Sequence, residues 1–238
     1  MTTDIAAFLE TRRATAAAQK IAPAPIAKLP RHTIIHGDCI QVMKQLDAAS
    51  IDFVLTDPPY GVDYRARDGR TVANDANAQW LRPAFSQIHR VLKPSSFCVS
   101  FYAWNRIHLF MDAWRSAGFR PVGHFVFRKR YASGACFLRY EHEAAYLLAK
   151  GDVQPPAKPM SDVIDFRYTS NKLHPTQKPV SALMPIIEAF CPQDGIVLDP
   201  FAGSGSTLVA AKELGRKYIG IEISAEHHQT ATTRLAAA

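Results

Sequence analysis

From Thr33 onward the chain alternates short apolar runs with stretches of helical period, and nothing else in the sequence limits the fold so strongly. The apolar runs cover residues 33–36, 51–56, 96–101, 122–127, 143–149, 196–199 and 218–222. Helical patterns cover 40–46, 79–92, 105–117, 180–190, 206–214 and 224–235. Strand–helix alternation of this kind predicts an α/β fold, a mostly parallel seven-stranded sheet with helices on both faces. In such sheets ligands sit beyond the carboxyl ends of the strands. Acidic residues stand at or just after the ends of four runs: Asp38, Asp57, Asp199 and Glu222.

Outside this frame, residues 1–30 read as an appendage. An Ala-rich piece over 5–19 leads into Ala22-Pro23-Ala24-Pro25, a stiff extended linker. Residues 31–238 are expected to form a single domain, since 238 residues at 47% hydrophobic suit one sizeable core. The four cysteines lie far apart without CxxC or Cys/His spacing, so neither a metal site nor a disulfide framework is expected. Reduced thiols fit a cytoplasmic protein. No apolar run approaches the roughly 20 residues that span a bilayer, so no membrane partner is expected. Arg12-Arg13 is followed by Ala-Thr-Ala-Ala-Ala-Gln-Lys, which is not an export signal core. A net charge of +7 hints at a polyanionic partner. The placement says more, because Arg115, Arg120, Arg128, Lys129, Arg130 and Arg139 follow one another with no acid between them.

Two motifs carry chemistry. In the first, the run 51–56 ends in Asp57-Pro58-Pro59-Tyr60. Asp-Pro-Pro alone suits a plain turn, but each residue also has a use in alkylating an aryl amine. The amine's lone pair is delocalised into its ring, so the nitrogen is a poor nucleophile. Two acceptors aimed at its N–H groups, the Asp57 carboxylate and the Pro58 carbonyl, would draw it toward a tetrahedral form. Two prolines fix φ and hold that geometry. Tyr60 offers a face on which a base extruded from a duplex can stack. The acceptors also stabilise the positive charge that develops on nitrogen.

In the second, the run 196–199 leads into Pro200-Phe201-Ala202-Gly203-Ser204-Gly205-Ser206-Thr207 and a helix. A glycine turn at a helix start favours an anionic ligand group. A dinucleotide fingerprint needs a third glycine at position 208, which is Leu, and no Gly-Lys-Ser/Thr follows for a nucleotide phosphate loop. Glu222 ends the next strand roughly 20 residues later, where a carboxylate grips ribose hydroxyls in folds of this type.

With both motifs in hand, the chain resembles the DNA amino-methyltransferases of the circularly permuted β group, the N6-adenine and N4-cytosine methylases. In these the catalytic Asp-Pro-Pro-Tyr precedes the cofactor's Phe-x-Gly-x-Gly. The resemblance runs from Thr33 to the last residues and includes His36-Gly37-Asp38-Cys39 and His174-Pro-Thr-Gln-Lys178-Pro179. It implies a Rossmann-like methyltransferase fold, S-adenosylmethionine as cofactor, double-stranded DNA as substrate and a homodimer. It also implies site roles. Asp38 would contact the cofactor's adenine edge and Glu222 its ribose. Phe201, Gly203, Gly205, Ser206 and Thr207 would shape the methionine pocket, which His174, Thr176 and Lys178 close, with Lys178 near the carboxylate. Cys39, Asp57, Asp199 and Ile223 complete the implied contact set. Asp at the head of the catalytic motif resembles the adenine-N6 enzymes, whereas the cytosine-N4 relatives usually begin with Ser. Both intact motifs argue against a non-catalytic DNA-binding protein on the same fold.

DNA contacts are expected from two regions. Residues 61–77 carry Arg65, Arg67 and Arg70 in a loop after the catalytic motif. The group Arg128, Lys129, Arg130 and Arg139 suits sequence-independent phosphate contacts. The recognition insert, about 151–171, is too short for an independent domain and is proline-rich, so an extended path is expected there.

Overall fold

A computed structural model describes residues 31–60, 78–132, 137–156, 158–167 and 177–238. Each of the seven apolar runs forms a strand: β1 (Thr33–His36), β2 (Ile51–Thr56), β3 (Leu92–Phe101), β4 (Phe119–Lys129), β5 (His142–Lys150), β7 (Ile196–Asp199) and β8 (Lys217–Glu222). The helical patterns form α1 (Cys39–Met43), α2 (Leu81–Val91), α3 (Ile107–Ala117), α4 (Val180–Phe190), α5 (Ser206–Glu213) and α6 (Ala225–Ala237). The expectation of seven strands needs one correction. An eighth strand, β6 (Val163–Phe166), lies within the interval 151–171 expected to serve as the recognition insert. It is four residues long and pairs in parallel with β4 at the sheet edge, so its partner is distant in sequence and its own pattern is too short to stand out.

The strands form one sheet in the order β1-β8-β7-β2-β3-β5-β4-β6. All neighbours are parallel except β5, which runs antiparallel to both β3 and β4. Seven of the eight strands therefore point the same way. Strand side chains alternate between faces, and the core divides accordingly. Phe53 and Leu55 of β2 face α4 and α5 in one cluster, whereas Val54 faces α2 and α3 in the other. Near-continuous burial along β2, β7 and β8 is what a strand covered on both faces requires.

Local chemistry fixes the helix ends that face the carboxyl edge. The Asp38 carboxylate accepts the Gln41 backbone N–H at 3.0 Å and caps α1. Ser224 caps α6 in the same way. β2 and β7 are neighbours, and the chain leaves them in opposite directions, toward β3 and toward β8. That is the topological switch point, where the crevice of an open parallel sheet forms.

Candidate active site

At the end of β7 the chain turns through Phe201 to Gly205, with Gly203 at φ 51° and Gly205 at φ 79°. Glycine adopts this left-handed region without the penalty a side chain brings. Gly205 is doubly constrained, because a Cβ there would lie 3.1 Å from that of Ala231 on α6. Ser206 and Thr207 open α5 and are buried. Asp199 is buried under the turn, where its carboxylate accepts the Thr56 hydroxyl at 2.9 Å and the Phe201 N–H at 3.1 Å. Burial pushes its carboxyl up to about 7, against the hydrogen bonds from Thr207, Thr56 and Phe201.

Glu222 ends β8 and ties the turn to the next loop. One carboxylate oxygen accepts the Gly203 N–H and the other the Ser224 N–H, both at 2.8 Å. Ile223 follows, partly exposed, with its carbonyl 3.1 Å from His36 Nε2. Asp38 lies beyond β1, next to β8, and is half-buried. Cys39 beside it is buried, and burial followed by the charge of Asp38 pushes its thiol up to about 12. Such a thiol packs and does not react. Phe201 meets the ring of Trp80 edge-on at 5.0 Å, a partner that the sequence pattern did not single out. The adjacent ends of β1, β8, β7 and β2 span three strand spacings, about 14 Å. The residues there suit an adenosyl sulfonium ligand: a carboxylate for vicinal hydroxyls, a turn whose two glycines allow close approach to the backbone, and aromatic faces beside a cation.

Asp57 follows β2, next to this cleft, and a charged cluster surrounds it. The Tyr60 hydroxyl donates to one Asp57 oxygen at 2.6 Å, and Lys178 Nζ donates to the other. Lys178 also lies 3.1 Å from Glu143, whose second oxygen is 2.5 Å from Lys129 Nζ. The Lys178 ammonium stands 4.8 Å over the ring of Phe101. Strand alternation explains the assembly. Asp57, Glu143 and Lys129 continue the faces of Leu55, Ala145 and Phe127, which belong to one core cluster. Each strand thus replaces its apolar series by a charge where it reaches the carboxyl edge.

The charges are unequally shared. Burial would raise Glu143, yet Lys178 and Lys129 together hold its carboxyl below the usual range. Asp57 has only a share of one lysine, and burial with the nearby Glu143 raises its carboxyl despite Lys178 and Tyr60. Burial would lower Lys178, but Asp57 and Glu143 hold it firmly protonated. Pro58 is buried and Pro59 half-buried behind this cluster. Tyr60 meets Phe110 edge-on at 6.4 Å.

Two of the expected site residues are engaged within the chain. Lys178, expected near the cofactor's carboxylate, is ion-paired with Asp57 and Glu143. Lys129, assigned to DNA phosphates, points inward: its side chain is only 6% exposed and pairs with Glu143. The remaining cations of that group are exposed, and each meets an acid close by. Arg128 lies 2.8 Å and Arg130 3.6 Å from Asp165, and Arg139 2.9 Å from Glu141. Glu143 itself was read only as the start of a strand. Its acid at the head of an apolar run was the available signal. Arg65, Arg67, Arg70, His174, Thr176 and residues 1–30 lie outside the described residues. Among the described residues, no three His, Cys, Asp or Glu side chains are grouped to hold a metal ion, and no helix is long and apolar enough to cross a membrane.

Comparison with known proteins bears on the family and the fold. A family model described as DNA methylase, of the N6/N4 methyltransferase type, matches residues 51–233. The chain is 53% identical over 203 residues to YubD of Escherichia coli (strain K12), covering 85% of this chain and 89% of that one. It is 32% identical over 245 residues to the DNA adenine methyltransferase YhdJ of the same organism, covering 85% and 82%. Among solved structures, the M1.HpyAVI–SAM complex superposes with a TM-score of 0.69 at 26% identity, covering 85% of this chain and 98% of that one.

Proposed function

The chain belongs to the family of N6/N4 DNA amino-methyltransferases, and from that premise we propose that it transfers a methyl group from S-adenosylmethionine to N6 of an adenine extruded from double-stranded DNA. The observation that carries the reading is the Asp57 carboxylate beyond β2, beside the glycine turn of β7. The neighbouring M1.HpyAVI structure holds S-adenosylmethionine, and the cleft lined by Glu222, Gly203 and Phe201 suits the same ligand. Adenine as the target rests on Asp at the head of the motif and on the DNA adenine methyltransferase YhdJ as a relative.

S-adenosylmethionine, when bound, supplies the activated methyl group. The rest falls to the chain's own residues. Glu222 and the Gly203–Gly205 turn hold the ligand's polar groups, with Asp38 at the adjacent strand end. Asp57 accepts one N–H of the target amine and the Pro58 carbonyl the other, which exposes the nitrogen lone pair. The carboxylate also stabilises positive charge developing on that nitrogen, and its half-buried setting screens the interaction less than bulk solvent would. Tyr60 presents its ring to the base.

The test incubates the purified protein with methyl-labelled cofactor and duplex DNA, then digests the DNA to nucleosides. Label in N6-methyladenine is the expected result. Label in N4-methylcytosine would move the target within the family, and no transfer to DNA would overturn the reading.

A further inference from the structure

Two half-buried carboxylates and two buried lysines form a chain across the carboxyl edge: Asp57, Lys178, Glu143 and Lys129. The reaction proposed above uses Asp57 alone. Its two oxygens already accept bonds from Tyr60 and Lys178. An ammonium fully committed to Asp57 would compete with the target amine for the same lone pairs. It would also oppose positive charge growing on the amine nitrogen, and the burial of Lys178 weakens solvent screening of that repulsion. Yet an Asp57 with no cation nearby would be a partly desolvated carboxylate that takes up a proton more readily, and a neutral carboxyl is a weaker acceptor with no charge to offer the amine. The site therefore needs Lys178 close but not captured.

Glu143 stands where it can meet that need. It lies on β5 with its carboxylate 3.1 Å from Lys178, and Lys129 anchors its other oxygen at 2.5 Å. Lys129 in turn lies over the rings of Phe166 and Tyr131, which fix its own position. We propose that Glu143 is a positioning residue: it shares the Lys178 ammonium with Asp57, keeping Asp57 ionised yet open to the target amine, while Lys129 sets how much of that cation Glu143 takes. The proposal rests on the amino-methyltransferase reading for its consequence in turnover. The charge sharing itself is a property of the ligand-free chain.

The groups facing Asp57 are Tyr60 from its own segment, Lys178 from the segment before α4, Glu143 from β5 and Asp199 from β7, with Lys129 of β4 behind Glu143. The sharing model assigns each variant a direction. In Glu143→Gln, Lys178 belongs to Asp57 alone and one negative neighbour is gone, so Asp57 should ionise at lower pH. In Lys178→Met it loses its cation and should ionise at higher pH. In Lys129→Met, Glu143 draws Lys178 toward itself, and Asp57 should again move up, by less.

The experiment is a carbon-13 carboxyl titration of the full chain without ligand, with Asp57 assigned by its absence in Asp57→Asn. It is paired with the pH dependence of kcat for methyl transfer to DNA. Glu143→Gln and Lys178→Met should move Asp57 in opposite directions by at least about one pH unit, a tenfold change in its ionisation equilibrium. Glu143→Gln should lower kcat about tenfold or more, with cofactor Kd within about twofold of wild type. Glu143→Asp should recover part of the loss, which a mere packing defect would not predict. If Glu143→Gln does not fold, Lys129→Met tests the same sharing from the opposite side. An Asp57 titration unmoved by Glu143→Gln, or unmoved by Lys129→Met where only that variant folds, would overturn the proposal. So would wild-type kcat in folded Glu143→Gln. If the wild-type protein transfers no methyl group to DNA, the functional reading fails, while the titration still decides the charge sharing.

Discussion

Asp199 accepts the Thr56 hydroxyl and the Phe201 N–H, yet burial holds its carboxyl near 7, above the ordinary 3.8. Between those values the folded chain keeps a proton that the unfolded chain has lost, so this group's stabilisation is complete below the unfolded value. It is lost as pH rises through the folded one. Thermal unfolding at about pH 5 and about pH 7 should show the wild type losing more stability across that interval than Asp199→Asn. An equal loss in both would mean that Asp199 ionises normally. Asp57 supports a different prediction, because in the proposed reaction its carboxylate acts on the target amine and not on the cofactor's polar groups. Asp57→Ala should abolish measurable turnover while cofactor affinity by calorimetry stays within a few-fold. Near wild-type turnover would remove Asp57 from the chemistry. Glu222 cannot be read so simply. Its two oxygens hold the Gly203 and Ser224 N–H groups, so truncating it disturbs the turn as well as any ribose contact.

Strands β7 and β8 and helix α5 form the side of the cleft proposed for the cofactor, and their fit is close. A Cβ on Gly220 of β8 would lie 2.3 Å from Leu208 of α5 and 3.2 Å from Ala202. Gly123 of β4 is roomier, with Leu147 at 3.4 Å. Gly220→Ala should therefore cost about 1–3 kcal/mol in urea unfolding, as overpacked cores do, and Gly123→Ala clearly less. Equal costs would mean that the α5 contact is soft. At this scale the sequence was legible wherever period and partner agreed. The runs at 33–36, 51–56 and 196–199 match β1, β2 and β7 residue for residue. The β3 strand begins earlier than expected, at Leu92, because Leu92 pairs with Ile51 before an irregular step through Lys93-Pro94-Ser95. β6 was missed because it depends on β4 for its pairing. The inward placement of Lys129 has its signal in the sequence: Phe125, Phe127 and Lys129 share a face by strand alternation, and Arg128 takes the other. A charge run read along the chain hides what a pleat separates.

Across the whole molecule, β4 and β6 point the same way as β2, so Arg128 and Arg130 emerge on the same edge as Asp57. Arg139, in the loop before β5, joins them beside the exposed side chains of Phe137 and Leu138. Replacing Arg128, Arg130 and Arg139 with Ala should weaken binding to all duplexes alike. It should also flatten the log–log salt dependence by up to about 0.9 per lost phosphate contact. Because each arginine must leave an acid to reach DNA, the measured change should fall short of three full contacts. Loss of sequence discrimination with an unchanged salt slope would instead make these residues base readers. One topological fact reaches back to the ribosome. β1 is complete at His36, but the one strand it pairs with among the described residues, β8, is complete at Glu222. At about 5–20 residues per second of synthesis, the first strand waits on the order of 10–40 s for that partner. Throughout that interval the gap between β1 and β7 stays open, and neither the Glu222 tie nor the glycine turn it holds can exist. A nascent or truncated chain thus lacks the cofactor side of its cleft, and the ability to modify DNA arrives only with the last strand.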